Sequence, residues 1–278
     1  MTTADYLNQL EQDREDLVDN LEEKGITGLT GDETFTELVP EVLNISGGGG
    51  SELDWTTLGY NEMPETINED FNYSTYVKNN WNGTTSFDGD NKIVYLPLMD
   101  FSNISDATSF FRNCQKLQTI PNINVTLSST QNMFSGCTSL RIIDVSNFNI
   151  TNVERMDNMF TNCSSLKELD FSNLNNSNVK RTSSMFSYCS SLKKVNLKNI
   201  STPNLIRVQN MFSGCTALEE IDIRNFDFSN VGNYYTDMFA NVPTNCLIIV
   251  KDTTQKTWMN TKFPSMTNVQ TVSEYEAS

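Results

Sequence analysis

Apolar positions in the middle of the chain repeat in a fixed frame. Met133-Phe134-Ser135-Gly136-Cys137-Thr138-Ser139-Leu140 recurs with Met159, Phe160, Cys163 and Leu166, then with Met185, Phe186, Cys189 and Leu192, and then with Met211, Phe212, Cys215 and Leu218, at a period of 26 residues. Phe110-Phe111-Arg112-Asn113-Cys114 opens a shorter, 23-residue copy, and Met238-Phe239 begins a degenerate last one. Met159, Phe160, Cys163 and Leu166 fall at i, i+1, i+4 and i+7, which predicts one face of a short helix. Three residues on, Leu169 and Phe171 alternate with Asp170, the period of a strand. A single unit of this kind has too thin an apolar strip to fold alone. Stacked units share one interior, so the pattern predicts a solenoid with a parallel sheet and columns of Met, Phe, Cys and Leu inside. About six units are expected, with a closing strand over residues 246–250.

The flanks follow a different pattern. Trp55, Ile67, Phe71, Tyr76, Val77 and Trp81 supply enough aromatic surface to cap the first unit. Residues 252–261, carrying Trp258, read as a short helix, and residues 268–272 as a last strand. At the other end, Leu7, Leu10, Leu17 and Leu21 have the spacing of a helical seam, with Gly25 ending the helix. Phe35, Leu38, Val39, Val42 and Leu43 mark a second helical segment that Pro40 kinks or splits. Residues 46–51 are a Gly-rich tether. The expected division is therefore 1–45 (helical anchoring and oligomerisation), 46–51 (linker), 52–91 (N-terminal cap), 92–250 (solenoid) and 251–278 (C-terminal cap).

The repeated MFxxCxxLxxLDxSN pattern resembles the BspA-type bacterial leucine-rich repeat, over roughly residues 93–250. The resemblance implies an α/β solenoid of leucine-rich repeats, with a small α-helical segment before it, and a binding or structural role. Departures are local: Phe110 replaces Met, Asn122 stands at an apolar strand position, and Pro203 interrupts one unit. Residues 20–25 (Asn-Leu-Glu-Glu-Lys-Gly) and 33–42 (Glu-Thr-Phe-Thr-Glu-Leu-Val-Pro-Glu-Val) resemble the helical leader of phage virion proteins. That likeness implies attachment to a capsid or tail, with the rest of the chain displayed outward.

Charge separates the two parts. The net charge is −16, and residues 1–45 hold −10 of it, twelve acids against Arg14 and Lys24. An acidic chain repels phosphate backbones and anionic membranes, so nucleic acid and membrane insertion are not expected. So acidic a pair of short helices buries little on its own and needs a partner, either a second copy or other virion proteins. No basic segment followed by an apolar run opens the chain, which fits assembly in a bacterial cytoplasm.

Candidate chemistry is sparse. With no His, Ser-His and Cys-His nucleophile pairs are excluded. No Gly-Lys-Ser/Thr phosphate loop occurs either, so no enzyme activity, cofactor or metal is expected. The cysteines (Cys114, Cys137, Cys163, Cys189, Cys215, Cys246) lack CxxC spacing and read as buried free thiols. Asp100, Asp144, Asp170 and Asp222 form a row broken by Asn196. They read as solvated carboxylates bonded to neighbouring Ser or Asn side chains in preference to a calcium site. Asn103, Asn147, Asn173, Asn199 and Asn225 suit a ladder that satisfies backbone groups where sheet pairing stops.

Variable positions beside the strands are the better candidates for ligand contact: Arg141, Lys167, Glu168, Lys193, Lys194, Lys198, Glu219, Glu220 and Arg224. The lysines among them suit an acidic glycan. The sequence thus leads to a phage virion structural protein, either a capsid decoration or head fibre or a tail-associated protein. Its solenoid would adhere to a glycan or protein on a bacterial or host-associated surface. The alternative is a cellular BspA-type adhesin or interaction scaffold.

Overall fold

The computed structural model describes residues 81–94, 96, 101–120, 123–174 and 178–277. The chain divides into two units, Met1–Asn68 and Glu69–Ser278, and every described residue belongs to the second. The predicted anchoring positions Leu7, Leu10, Leu17, Leu21, Phe35, Leu38, Val39, Val42 and Leu43 lie outside the described residues, as do the tether and most of the N-terminal cap.

The repeats coil into a parallel solenoid. Strands β1 (Val125–Thr126) and β2 (Phe148–Asn149) form one parallel pair. Strands β3 (Glu168–Asp170), β4 (Lys194–Asn196), β5 (Glu220–Asp222), β6 (Leu247–Val250) and β7 (Val269–Thr271) form a second sheet in sequence order, parallel throughout. The register aligns Leu169, Val195, Ile221, Ile248 and Val269 in one buried row. Alternation then sends their neighbours outward in β3 and β4. Pro203 leaves this register intact, because β4 and β5 pair with the same 26-residue offset as β3 and β4.

The Met-Phe-x-x-Cys segment is not the short helix that its spacing predicts. It is a ribbon of successive turns. The cause is two left-handed residues per coil, four apart: Asn158 and Asn162 in one coil, Ser184 and Tyr188 in the next, Asn210 and Gly214 after that. An α-helix needs right-handed residues throughout, and a single αL residue ends it. The hydrogen bonds then alternate. Met159, Thr161 and Cys163 donate back to the carbonyls of Met156, Asn158 and Phe160 within their own coil. Asn158, Phe160 and Asn162 donate to Ser183, Met185 and Ser187 of the following coil at 2.8–2.9 Å. Half of the ribbon's N–H groups thus hold the coil's own turns, and half stitch it to the next coil.

The interior is a set of columns. Phe87, Phe111, Phe134, Phe160, Phe186, Phe212 and Phe239 stack face to face, with centroids 5.3–5.9 Å apart and planes within 2–11° of parallel. Phe87 stands five residues ahead of the solenoid start expected at residue 92, so the column reaches into the segment assigned to the cap. The sequence frame hides this because Asp88 and Gly89 follow Phe87 where other coils have Ser-Gly or Thr-Asn before the Cys.

At the C-terminal end both expected strands form: β6 closes the repeats within 246–250, and β7, within 268–272, pairs beyond it as the last strand of the sheet. Helix α1 (Thr253–Lys262) starts at Asp252, whose carboxylate accepts the N–H groups of Thr254 and Gln255. Its Trp258 stacks on Phe228 at 4.5 Å. Helix α2 (Val272–Tyr275) begins with a reciprocal cap between Thr271 and Glu274. Both helices lie against β7, covering the last coil's open end.

One glycine is fixed by its neighbour. Gly214 has φ +79°, and a Cβ there would stand 2.7 Å from Cδ1 of Tyr188, whose ring lies over it from the preceding coil. Gly214→Ala is expected to lower stability by about 2 kcal/mol through αL strain and that clash. Gly214→Ala combined with Tyr188→Asn should regain part of the loss, because Asn tolerates αL and removes the ring. Chemical denaturation of both variants checks this; equal losses would exclude the Tyr188 contact as a cause.

Candidate functional site

The columns leave three kinds of outward row. The first contains the positions singled out beside the strands. Pairing places Glu168, Lys194 and Glu220 side by side, so charge alternates across the sheet. Lys193 pairs with Glu219 at 3.2 Å and Lys194 with Glu220 at 3.8 Å. Their side chains are roughly half exposed, so each pair contributes no more than about 1 kcal/mol. The effect on the surface is larger than the effect on stability: two of the three lysines in the cluster Lys193, Lys194 and Lys198 face carboxylates from the next coil. Arg141 and Lys167 are exposed in the preceding coils, beside an exposed Ile142.

Arg224 is differently placed. Its guanidinium closes on Asp222, with Nε 3.0 Å from both carboxylate oxygens and Nη2 2.8 Å from Oδ2. Its Nη1 reaches Glu276 at 3.3 Å. The Asp222 hydrogen bond, foremost, raises the Arg224 pKa further, against the cost of partial burial. This side chain ties β5 to the end of α2 and has little freedom to meet a ligand.

The second row is the turn after each strand. Asp144, Asp170 and Asp222 accept backbone N–H bonds from Ser146, Ser172 and Arg224, two residues on, and Asn196 does the same for Lys198. The partner that recurs is therefore a backbone N–H, where Ser and Asn side chains were expected; Asp222 also holds the Arg224 guanidinium, and Asp100 lies outside the described residues. The carboxylate closes an Asx turn, which an Asn performs equally well, and this accounts for Asn196 within the row. The next position but two carries the ladder asparagines. Asn199 Nδ2 donates to the Ser172 carbonyl and Asn225 Nδ2 to that of Lys198, one coil back. Asn103, Asn147 and Asn173 occupy the same turn position and are exposed. Among the described residues, no group of three His, Cys, Asp or Glu is arranged to hold a metal ion.

The cysteines are free and buried. Cys114, Cys137, Cys163, Cys189 and Cys215 each donate their S–H to the carbonyl of the preceding coil's Phe, at 3.0–3.1 Å. Cys246 stands outside this arrangement, 3.8 Å from the carbonyl of Leu247.

A third row escaped the sequence reading. Arg155, Arg181 and Arg207 follow one another in parallel bridges on consecutive coils. Asp157, almost wholly buried, lies between the first two, its Oδ2 3.1 Å from Nε of each. Its Oδ1 accepts the Ser183 N–H at 3.1 Å. Lys180 pairs with Glu154 at 2.7 Å in the adjacent column. Arg207 has no carboxylate partner among the described residues and lies 4.7 Å over the ring of Tyr234. The 26-residue spacing of the three arginines was visible in the sequence. It went unread because it falls between the two motifs that define the unit.

This architecture, parallel coils of about 26 residues with buried Leu and Phe columns, is that of a leucine-rich-repeat solenoid. Two overlapping stretches, residues 75–195 and 128–251, match the family described as "Mycoplasma protein of unknown function, DUF285", and the chain belongs to that family. No curated protein matches the sequence. Among solved structures, a leucine-rich-repeat protein of T. pallidum is similar at 20% identity over 54% of this chain and 77% of that one, with a TM-score of 0.28. TLR13, in its complex with ssRNA13, is similar at 20% identity over 57% of this chain and 28% of that one, with a TM-score of 0.23.

Proposed function

We propose that the solenoid is a non-catalytic adhesion module, held out from a phage particle by residues 1–45, that binds a bacterial or host-associated surface. The observation that carries the binding role is the set of outward rows in register. Each coil contributes an exposed side chain at a fixed position, so variable residues become a continuous surface on a scaffold locked from inside by the Phe and Cys columns. The acidic leader, with its virion-like motifs, and the Gly tether support display from a particle, on a capsid or a tail.

Mass spectrometry of purified virions tests the display: the chain is expected among the particle proteins, and its absence from them would end that part of the reading. Adhesion is tested separately, by binding of the fluorescently tagged full chain to intact bacterial cells and to host mucosal material. Failure on every surface would remove the adhesive role. A second reading, a cellular surface adhesin or interaction scaffold, draws support from the family's description as a Mycoplasma protein. It predicts the chain on the cell envelope or in the cytoplasm, independent of any particle.

A further inference from the structure

We infer that Arg155, Arg181 and Arg207, with Lys180 beside them, bind a linear anionic polysaccharide laid across the coils. The three arginines occupy the same position on consecutive coils, their backbones at the separation of adjacent strands, about 4.8 Å. Like charges on neighbouring coils repel, so the ladder works against the fold that carries it. Asp157 offsets part of this for Arg155 and Arg181, and it does so through their Nε atoms. Their Nη groups, and the whole Arg207 guanidinium, donate no hydrogen bond to any described residue. These are the forked donors that hold carboxylate or sulfate oxygens in pairs.

The surroundings choose among polyanions. The chain's net charge of −16 opposes a densely charged nucleic acid at long range. A duplex carries one charge per about 1.7 Å of its length; a single polysaccharide chain with one anionic group per sugar carries fewer and meets less of that field. On one side of the ladder, neighbouring coils present the half-buried Gln131 and Gln209, amides suited to sugar hydroxyl groups. At its end, the half-exposed Tyr234, whose ring lies under the Arg207 guanidinium, adds aromatic surface beside the last arginine.

This deepens the adhesion reading by naming the ligand class, and its test is independent of particles and cells. Binding of the purified full chain is measured by biolayer interferometry against polygalacturonate, dextran sulfate, poly-glutamate and neutral dextran. Polygalacturonate or dextran sulfate is expected to bind, weakening as salt rises, with neutral dextran inert; the stronger of the two identifies carboxylate or sulfate as the anion. Arg207→Gln, which disturbs no ion pair, should weaken binding by on the order of tenfold. Lys180→Gln should weaken it less, and Lys198→Gln, beside the strands, should leave it unchanged. Circular dichroism verifies that each variant is folded. No binding of either acidic polysaccharide, tighter binding of poly-glutamate, or full binding by folded Arg207→Gln would each overturn the inference. Retained polymer binding with failed adhesion would instead count against the adhesive role alone.

Discussion

Raising the pH above 9.0, the ordinary value for a thiol, is expected to unfold the solenoid before pH 11, and the buried cysteines are the reason. Burial pushes Cys137, Cys215 and Cys246 up to about 12, and it pushes Cys114, Cys163 and Cys189 up as well. Neighbouring thiols in the column add to the rise at Cys114, Cys163, Cys189 and Cys215. The folded state therefore keeps its thiol protons at a pH where the unfolded chain releases them. Stability from this source is complete below 9.0 and falls as pH rises toward about 12. Each thiol withdraws about 1.4 kcal/mol per pH unit in that window, so six together withdraw on the order of 8 kcal/mol. Whole domains are stable by only about 5–15 kcal/mol.

Equilibrium unfolding in urea, repeated from pH 8 to 11, measures the slope directly. Cys163→Ala with Cys189→Ala is expected to start less stable, because two cavities form, and to lose stability more slowly with pH. A double variant with the slope of the parent chain would contradict the assignment. The same burial keeps the thiols from alkylating reagents until the solenoid opens, so iodoacetamide labelling should follow global unfolding.

Phe160→Ala is expected to destabilise the protein by about 3–5 kcal/mol. Phe160 is fully buried and stacks on Phe134 at 5.4 Å and on Phe186 at 5.9 Å, with Phe171 edge-on at 6.2 Å. The stack has no path around a missing ring. In a linear array each coil touches only its neighbours, so a gap in the middle weakens the coupling between the two ends. The urea transition should therefore move to lower concentration and broaden or split, the half closed by α1 and α2 surviving longer. Phe160→Leu, which keeps most of the volume, should cost about 1–2 kcal/mol and remain one transition. An unchanged midpoint for Phe160→Ala would mean that the column does not carry the fold.

Much of this structure was legible because a repeat reports on itself. Met, Phe, Cys and Leu at a constant period can share an interior only if the coils stack, and Leu169-Asp170-Phe171 has the alternation of a strand whatever surrounds it. The ribbon was misread because i, i+1, i+4 and i+7 is the spacing of a helix face. It is also the spacing of turns punctuated by a left-handed residue every fourth position. Asn158 and Asn162 held that information, since Asn is among the few residues at ease with positive φ. The pattern Asn-Met-Phe-x-Asn-Cys was a turn signal written inside an apolar one. Similarly, Asp170 and Asn196 at one strand end pointed to an Asx turn, where the charge alone suggested a solvated row.

The candidate surface was less legible. Lys193, Lys194 and Lys198 form a basic cluster only along the chain. Across the coils, 26 residues away, Glu219 and Glu220 stand beside two of them. Arg155, Arg181 and Arg207 are scattered along the chain and adjacent only across it. The sequence by itself determined the period, the columns and the existence of a stacked core, because hydrophobic burial acts on every unit alike. Which charges neutralise one another and which stand unpaired was decided by the tertiary register. Electrostatic interactions act between neighbours in space, and in a solenoid most such neighbours lie one coil away.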